Sequence, residues 1–303
     1  GSENMTRDYE EYLKDDNLHI NWYPGHMKKT KEMVQNNLKL VDVVIELLDA
    51  RIPLSSKNPE IDKLAQNKPR VVVLNKSDLS DKAKLNKWIS YYQSKGIKAI
   101  PVDTLKGNGV NKIVEECKNA TKEKMDALKE KGRKERAIRV MIVGVPNVGK
   151  SSLINKLTGR KSTQTGDRPG VTKGKQWVRL KGNLELLDTP GILWPKFEDQ
   201  KIALNLAFTR AIKDEILDID TLGLKFIEKM SEIEPEKLKA RYKLDSLGEE
   251  PLETMEMIGR KRGFILGRNE LDYTRIAKTV LNEFREGKLG QITLEVPEDI
   301  EEA

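Results

Sequence analysis

The sequence predicts an α/β protein: a mostly parallel sheet with helices on both faces, followed by a small all-helical domain. Three observations carry this expectation. Apolar, β-branched runs of strand length recur across residues 41–189, helical patterns separate most of them, and beyond about residue 200 only helical periodicity remains. Strands that alternate with helices pair in parallel, because each crossover helix returns the chain to the same edge and covers a face of the sheet. The division is placed at residue 200, with 1–200 holding the sheet and an N-terminal extension and 201–303 holding the helices and an acidic tail.

The expected strands are VDVVIELLDA (41–50), RVVVLNK (70–76), KAIPV (98–102), RVMIVG (139–144), KQWVRL (175–180) and LELLDT (184–189). Helical patterns fall at 27–39, 59–67, 81–95, 110–130 and 149–158. The highly charged stretch 118–136 reads as a solvated helix plus a connector, since most charge runs are solvated faces. In LDYTRIAKTVLNEF, Tyr273, Ile276, Ala277, Val280, Leu281 and Phe284 recur with helical spacing and define one apolar face. Asp272 is placed to cap its start and Gly287 its end. Leu222, Phe226 and Met230 form a second stripe, and Leu252, Met255 and Ile258 a third. Basic residues stand at the outer positions, among them Arg275, Lys278, Arg285 and Lys288, and such faces suit phosphate backbones. The last stretch, EVPEDIEEA, is acidic and expected to be disordered.

The bulk numbers agree with an anionic partner. The chain has 303 residues and a formal net charge of +7, with an isoelectric point near 9.1. Cys117 is the single cysteine, so no intrachain disulfide forms and a reducing compartment is expected. No apolar run approaches the roughly 20 residues a bilayer span requires, and the N-terminus lacks the apolar core of a signal peptide. A cytoplasmic monomer without membrane attachment is the expectation.

Two motifs carry chemistry. Gly144-Val-Pro-Asn-Val-Gly149-Lys150-Ser151 fits G-x-x-x-x-G-K-[ST], between a strand and a helix, as a phosphate-binding loop must. Its glycines let successive backbone N–H groups face phosphate oxygens, through Asn147, Val148, Gly149 and on to Ser152, while the helix N-terminus adds positive potential. Lys150 is suited to bridge the β- and γ-phosphates, and the Ser151 hydroxyl to bind Mg²⁺. Downstream, LELLDTPG supplies Asp188 to hold the Mg²⁺ shell through water and Gly191 to meet the γ-phosphate. Thr172, in the Gly- and Thr-rich stretch 162–174, is chosen to complete the metal shell.

The second motif is Asn75-Lys76-Ser77-Asp78, at the end of a strand. An Asp78 carboxylate accepts from guanine N1–H and N2–H₂. Adenine lacks those donors and would leave the carboxylate unpaired, at a cost of roughly 1–3 kcal/mol or more. Lys76 is suited to lie over the base. The strand end at 100–109 offers a weaker polar loop, from which Asp103 and Thr104 are nominated. In an ordinary GTPase the phosphate loop comes first; here it follows the base reader. The pocket depends on spatial order at the carboxyl edge of the sheet, not on chain order. The two motifs are thus reconciled by a circularly permuted P-loop GTPase domain, cut open after D-T-P-G.

With this order, and with NWYPGHMKK (21–29), DARIPLSSKNP (49–59) and GDRPGVTKGKQWV (166–178), the chain resembles the circularly permuted GTPases of the YlqF/YawG type over nearly its whole length. That resemblance implies a GTPase acting in late assembly of the large (50S) ribosomal subunit, stimulated by that subunit, with a helical domain that binds its rRNA. The competing reading is a GTP- or GDP-holding RNA-associated module without relevant hydrolysis. Ile192 stands where many GTPases carry a water-orienting glutamine. The re-cut brings the segment before helix 27–39 toward the γ-phosphate side, and histidine orients water near neutral pH. Together with the family's catalytic histidine in this motif, this points to His26. The resemblance also assigns a K⁺ ion to Asn147, beside the Mg²⁺ of Ser151, Thr172 and Asp188.

Overall fold

The computed structural model describes residues 24–158, 176–188, 195–196 and 198–302. They fall into two units, one of residues 24–196 with 295–302 and one of residues 198–294. The first unit is built on a six-stranded sheet: β1 (Val43–Asp49), β2 (Arg70–Asn75), β3 (Lys98–Val102), β4 (Ile138–Gly144), β5 (Gln176–Leu180) and β6 (Leu184–Asp188). Its order is β3-β2-β1-β4-β6-β5. Every pairing is parallel except the β5–β6 hairpin at one edge. β1 and β4 are central, and they read as near-continuous apolar runs because both their faces are covered.

One face carries the cluster of Ile45, Leu47, Val73, Ile113, Val140, Ile142, Leu153 and Leu186. It is closed by α4 (Val110–Glu130) and α5 (Lys150–Thr158). The other face splits into two groups. Val34 and Leu38 of α1 (Pro24–Leu38) meet Val44, Met141 and Ile61, the last from α2 (Ile61–Leu64). Leu85, Trp88 and Tyr92 of α3 (Lys82–Ser94) meet Leu48, Val72 and Leu74. Asp81 caps α3 by accepting from the Lys84 N–H at 2.8 Å.

Residues 118–136 do form a helix and a connector, and the connector ends on a buried anchor. Asp42 is 2% exposed. It accepts from Arg136 at 2.7 and 2.9 Å, from Lys124 at 2.6 Å and from the Arg139 N–H at 2.9 Å. Burial pushes its carboxyl up, but these donors outweigh burial and hold it well below the ordinary carboxylate value. This anchor fastens the joint that leads into the phosphate-loop strand. Asp42→Asn should cost about 2 kcal/mol at neutral pH. A carboxyl depressed in the fold contributes its stability above the ordinary value of 3.8 and loses it as pH falls below that value. Denaturation profiles of wild type and mutant should therefore converge in acid; a gap that stays constant down to pH 2 would exclude this role.

The second unit contains α6 (Gln200–Phe208), α7 (Ile219–Ile233), α8 (Pro235–Tyr242), α9 (Pro251–Arg262) and α10 (Tyr273–Arg285). The expected stripes face inward: Leu222, Phe226, Met230, Met255, Ile258, Ile276, Ala277, Val280, Leu281 and Phe284 are all 2% exposed or less. Phe226 stacks between Phe208 and Phe284, with ring centroids 5.3 and 4.8 Å apart. Gly223 lets α7 and α10 touch, because a Cβ there would lie 2.7 Å from the Ala277 Cα. Asp272 caps α10 as expected, accepting from Arg275 N–H at 3.1 Å, and Gly287 follows with φ +79°.

Two expectations are corrected here. Arg285 is not an outward-facing cation. Its guanidinium forms a two-pronged pair with Asp214 at 2.7 and 2.8 Å and donates to the Phe208 and Ala207 carbonyls at 2.8 and 2.9 Å. From the last turn of α10 its side chain reaches the C-terminal end of α6, where a cation satisfies the last carbonyls of that helix. Helical periodicity places a residue on a face but does not say whether that face meets a neighbouring loop. The acidic tail is not disordered either. Residues Pro297–Glu302 form a 3₁₀ helix, and Ile300 sits on the Trp88 cluster of the sheet unit. Its charge suggested solvation; an alternating ITLEV run preceding it, with Glu295 only 5% exposed, is what ties it down.

Candidate active site

All parallel strands end at one edge, so the loops after β1, β2, β3, β4 and β6 converge there. The phosphate loop, 144–151, leaves β4 at the centre of the sheet and opens α5 at Lys150. Two residues carry its bend: Asn147 at φ +65° and Gly149 at φ +105°. The second is beyond the range a side chain tolerates, and a Cβ on Gly149 would overlap the Asn75 Nδ2. Asn147 is exposed and Val148 is buried.

Asn75 joins three loops. It is 1% exposed. Its Nδ2–H donates to the Val148 carbonyl at 2.8 Å, and its Oδ1 accepts from the Thr104 N–H at 3.3 Å. Its own carbonyl accepts from the Ala50 N–H at 2.8 Å. The N-K-S-D turn is thereby locked to the phosphate loop, although about 70 residues of sequence separate them. Lys76 follows in a left-handed conformation at φ +60°, and Asp78 is exposed in a 3₁₀ turn Ser77–Leu79. A left-handed lysine costs roughly 1 kcal/mol or more and persists where the surroundings impose it. Burial pulls the Lys76 ammonium down; the Asp49 and Asp78 carboxylates oppose this.

The loop after β3 carries the two nominated residues, Asp103 and Thr104. Asp103 Oδ1 accepts from the Leu105 and Lys106 N–H groups at 3.1 and 3.3 Å, so that oxygen shapes the turn. Asp103 and Thr104 are 5% and 4% exposed, whereas Leu105 is 81% exposed at the tip. Thr104 contributes its backbone N–H to Asn75.

At the other end of the pocket, Lys150 is largely desolvated. Burial lowers its pKa and the Asp188 carboxylate, at the end of β6, raises it. Ser151 and Asp188 are exposed and Ser152 is half-buried. The donors available to a cation here are hard oxygens, the Ser151 hydroxyl and the Asp188 carboxylate, which suit Mg²⁺. Thr172 and Gly191 lie outside the described residues. So does the His26 side chain, whose backbone belongs to the first turn of α1.

Sequence reasoning passed over one group in this region. Asp49, at the end of β1, and Arg51 form a fully buried ion pair. Asp49 Oδ1 accepts from the Arg51 N–H and Nε at 2.9 and 3.0 Å, and Oδ2 from Nη2 at 2.7 Å. In DARIPLSSKNP the physical signal for it is an acid and a base two residues apart at the end of an apolar strand. The Asp49 charge acts on Lys76, in the N-K-S-D turn.

A phosphate loop on the central strand and an N-K-x-D turn two strands away, in permuted chain order, define a P-loop GTPase. A family model described as 50S ribosome-binding GTPase matches residues 139–252, beginning at the phosphate-loop strand. Ribosome biogenesis GTPase A of Bacillus cereus is 50% identical over 93% of this chain and 96% of its own length. That of Thermotoga maritima is 32% identical over 93% and 96%. Among solved structures, GNP-bound YlqF from T. maritima aligns with a TM-score of 0.61 at 28% identity, covering 89% of this chain and 99% of that one. The chain belongs to the ribosome biogenesis GTPase A (YlqF) family, and it is a GTPase.

Proposed function

We propose that this protein hydrolyses GTP to time a late step in maturation of the large (50S) ribosomal subunit, binding ribosomal RNA through its helical unit as a cytoplasmic monomer. The observation that supports it is a division of labour among cations. In the helical unit Arg285, Arg241 and Arg262 are spent on internal pairs with Asp214 and Glu283, whereas Lys278, Lys261 and Arg268 are exposed. Solvated lysines and arginines are what a phosphate backbone recruits. No helix among the described residues is long and apolar enough to cross a membrane.

In this reading Asp78 accepts both guanine donors and Lys76 covers the base. Backbone N–H groups from Asn147 through Ser152 cradle the phosphates, and Lys150 neutralises the β- and γ-oxygens. Ser151, Asp188 and Thr172 would hold Mg²⁺, Asn147 would attend a K⁺ ion, and Gly191 would meet the γ-phosphate. Such cations would neutralise charge on the phosphates. Asp103 and Thr104, in the loop after the third strand, complete the base side of the site. His26 orients the attacking water.

The test is a salt titration of ribosomal-particle binding. Lys278→Gln with Lys288→Gln should flatten the slope by roughly one for each lost phosphate contact and leave intrinsic hydrolysis unchanged. Arg285→Gln should instead lower stability by about 1–3 kcal/mol, since the Phe208 and Ala207 carbonyls lose their donors and Asp214 keeps only Arg210. An unchanged slope in the double lysine variant would move the RNA surface elsewhere. Asp78→Asn should erode the preference for GTP over ATP; equal selectivity in a competition assay would show that Asp78 does not read the base.

A further inference from the structure

We infer that Glu295, in the C-terminal segment that returns to the sheet unit, is a positioning residue for guanine recognition. The inference rests on Asp78 as the base reader. The chain re-enters the sheet unit at Glu295. There its carboxylate takes three donors from one loop: Oε1 accepts from the Leu54 and Ser55 N–H groups at 3.0 and 2.9 Å, and Oε2 accepts from the Ser55 hydroxyl. Its backbone carbonyl accepts from Trp88 Nε1–H at 3.0 Å. The segment is then held by its own turn, with the Val296 N–H donating to Asp299 Oδ2 at 2.8 Å, and by Ile300 on the Trp88 cluster.

The loop held in this way, residues 50–56, is the one that braces the base-reading turn. At its start the Ala50 N–H donates to the Asn75 carbonyl. The Ser56 Oγ closes it, accepting from the Asp49 N–H at 3.0 Å and donating to the Ile52 carbonyl at 2.7 Å. Within it the Arg51 guanidinium fixes Asp49, whose charge faces Lys76. The two groups between these fastenings, the Leu54 and Ser55 N–H, have Glu295 as their acceptor. Ser55 is 0% exposed, so water does not replace a lost acceptor without the loop moving. A shift of the loop carries Asp49 and the strained Lys76 backbone with it, and Asp78 lies two residues beyond Lys76. Positioning at this level of remove is enough to change ligand affinity, because a base reader works within tenths of an ångström.

The test uses the full-length protein and compares GTP with ITP, whose base lacks the N2 amino group that Asp78 accepts. Wild type, Glu295→Ala, Glu295→Gln and Asp78→Asn are assayed for both dissociation constants and for Tm. Glu295→Ala should weaken GTP roughly tenfold and shrink the GTP-over-ITP preference, whereas Glu295→Gln, which keeps an acceptor for both N–H groups, should stay within about threefold of wild type. A lowered Tm with the GTP-over-ITP preference intact would reduce Glu295 to a prop of the fold and overturn the inference. Should Asp78→Asn leave that preference intact, the base-reader assignment fails and takes the inference with it; loss in Asp78→Asn but not in Glu295→Ala overturns the inference alone. If Glu295→Ala does not fold, Ser55→Ala, which removes one donor to the carboxylate, is judged by the same preference.

Discussion

Gly149→Ala is expected to weaken GTP and GDP binding by roughly 10–100-fold while leaving the protein folded. Gly149 combines φ +105° with an approach so close that a Cβ would overlap the Asn75 side-chain nitrogen. An alanine has two responses. It can shift the phosphate loop, which turns the N–H groups of 148–150 away from the phosphates, or it can push Asn75 off the Val148 carbonyl, which unlocks the base-reading turn. Each costs on the order of 1–3 kcal/mol, and about 1.4 kcal/mol is a factor of ten. The two causes separate in a double-mutant cycle. If the collision with Asn75 dominates, Gly149→Ala should cost markedly less in an Asn75→Ala background. Strictly additive losses would leave backbone strain as the whole effect. Nucleotide affinity of Gly149→Ala within threefold of wild type would contradict the described loop.

His26→Ala is expected to spare nucleotide binding and to slow hydrolysis on the ribosomal particle by on the order of 10²–10⁴. In the proposed function base and phosphates are held by loops at 75–78 and 144–151, so affinity has no reason to fall far. Ile192 follows Gly191 where a water-orienting glutamine commonly stands, and its side chain forms no hydrogen bond to water. The helix Pro24–Leu38 begins two residues before His26 and leads directly toward the central strand β1. Single-turnover hydrolysis, with and without the large subunit and at matched K⁺, is the measurement. The deficit should be largest with the particle present; equal stimulated rates in wild type and mutant would remove His26 from the mechanism.

The sequence by itself determined the class of this protein. The phosphate loop is legible because its glycines, lysine and serine are chemically required at fixed spacing between a strand and a helix. The six strands and the inward stripes of the helical unit are legible for a similar reason: burial on two faces, or on one helical face, leaves a periodic record that local sequence preserves. Even the re-cut order could be read, since a sheet edge collects loops without regard to their order in the chain.

Tertiary structure alone decided which charges are available and which are consumed. Arg285 and Lys278 both stand on α10, yet one is locked to Asp214 and two carbonyls and the other is exposed. Asp103, nominated from its place at a strand end, also turns its own loop. Asn75 looked like part of the base reader and proves to be the clasp between that reader and the phosphate loop. Glu295, in a tail whose composition promised solvation, is a buried acceptor for a loop some 240 residues away. A charged side chain carries the same signal in sequence whether it meets water or a partner. The partner is chosen by which distant backbone groups the fold leaves without acceptors, and those groups are defined only once the sheet has closed.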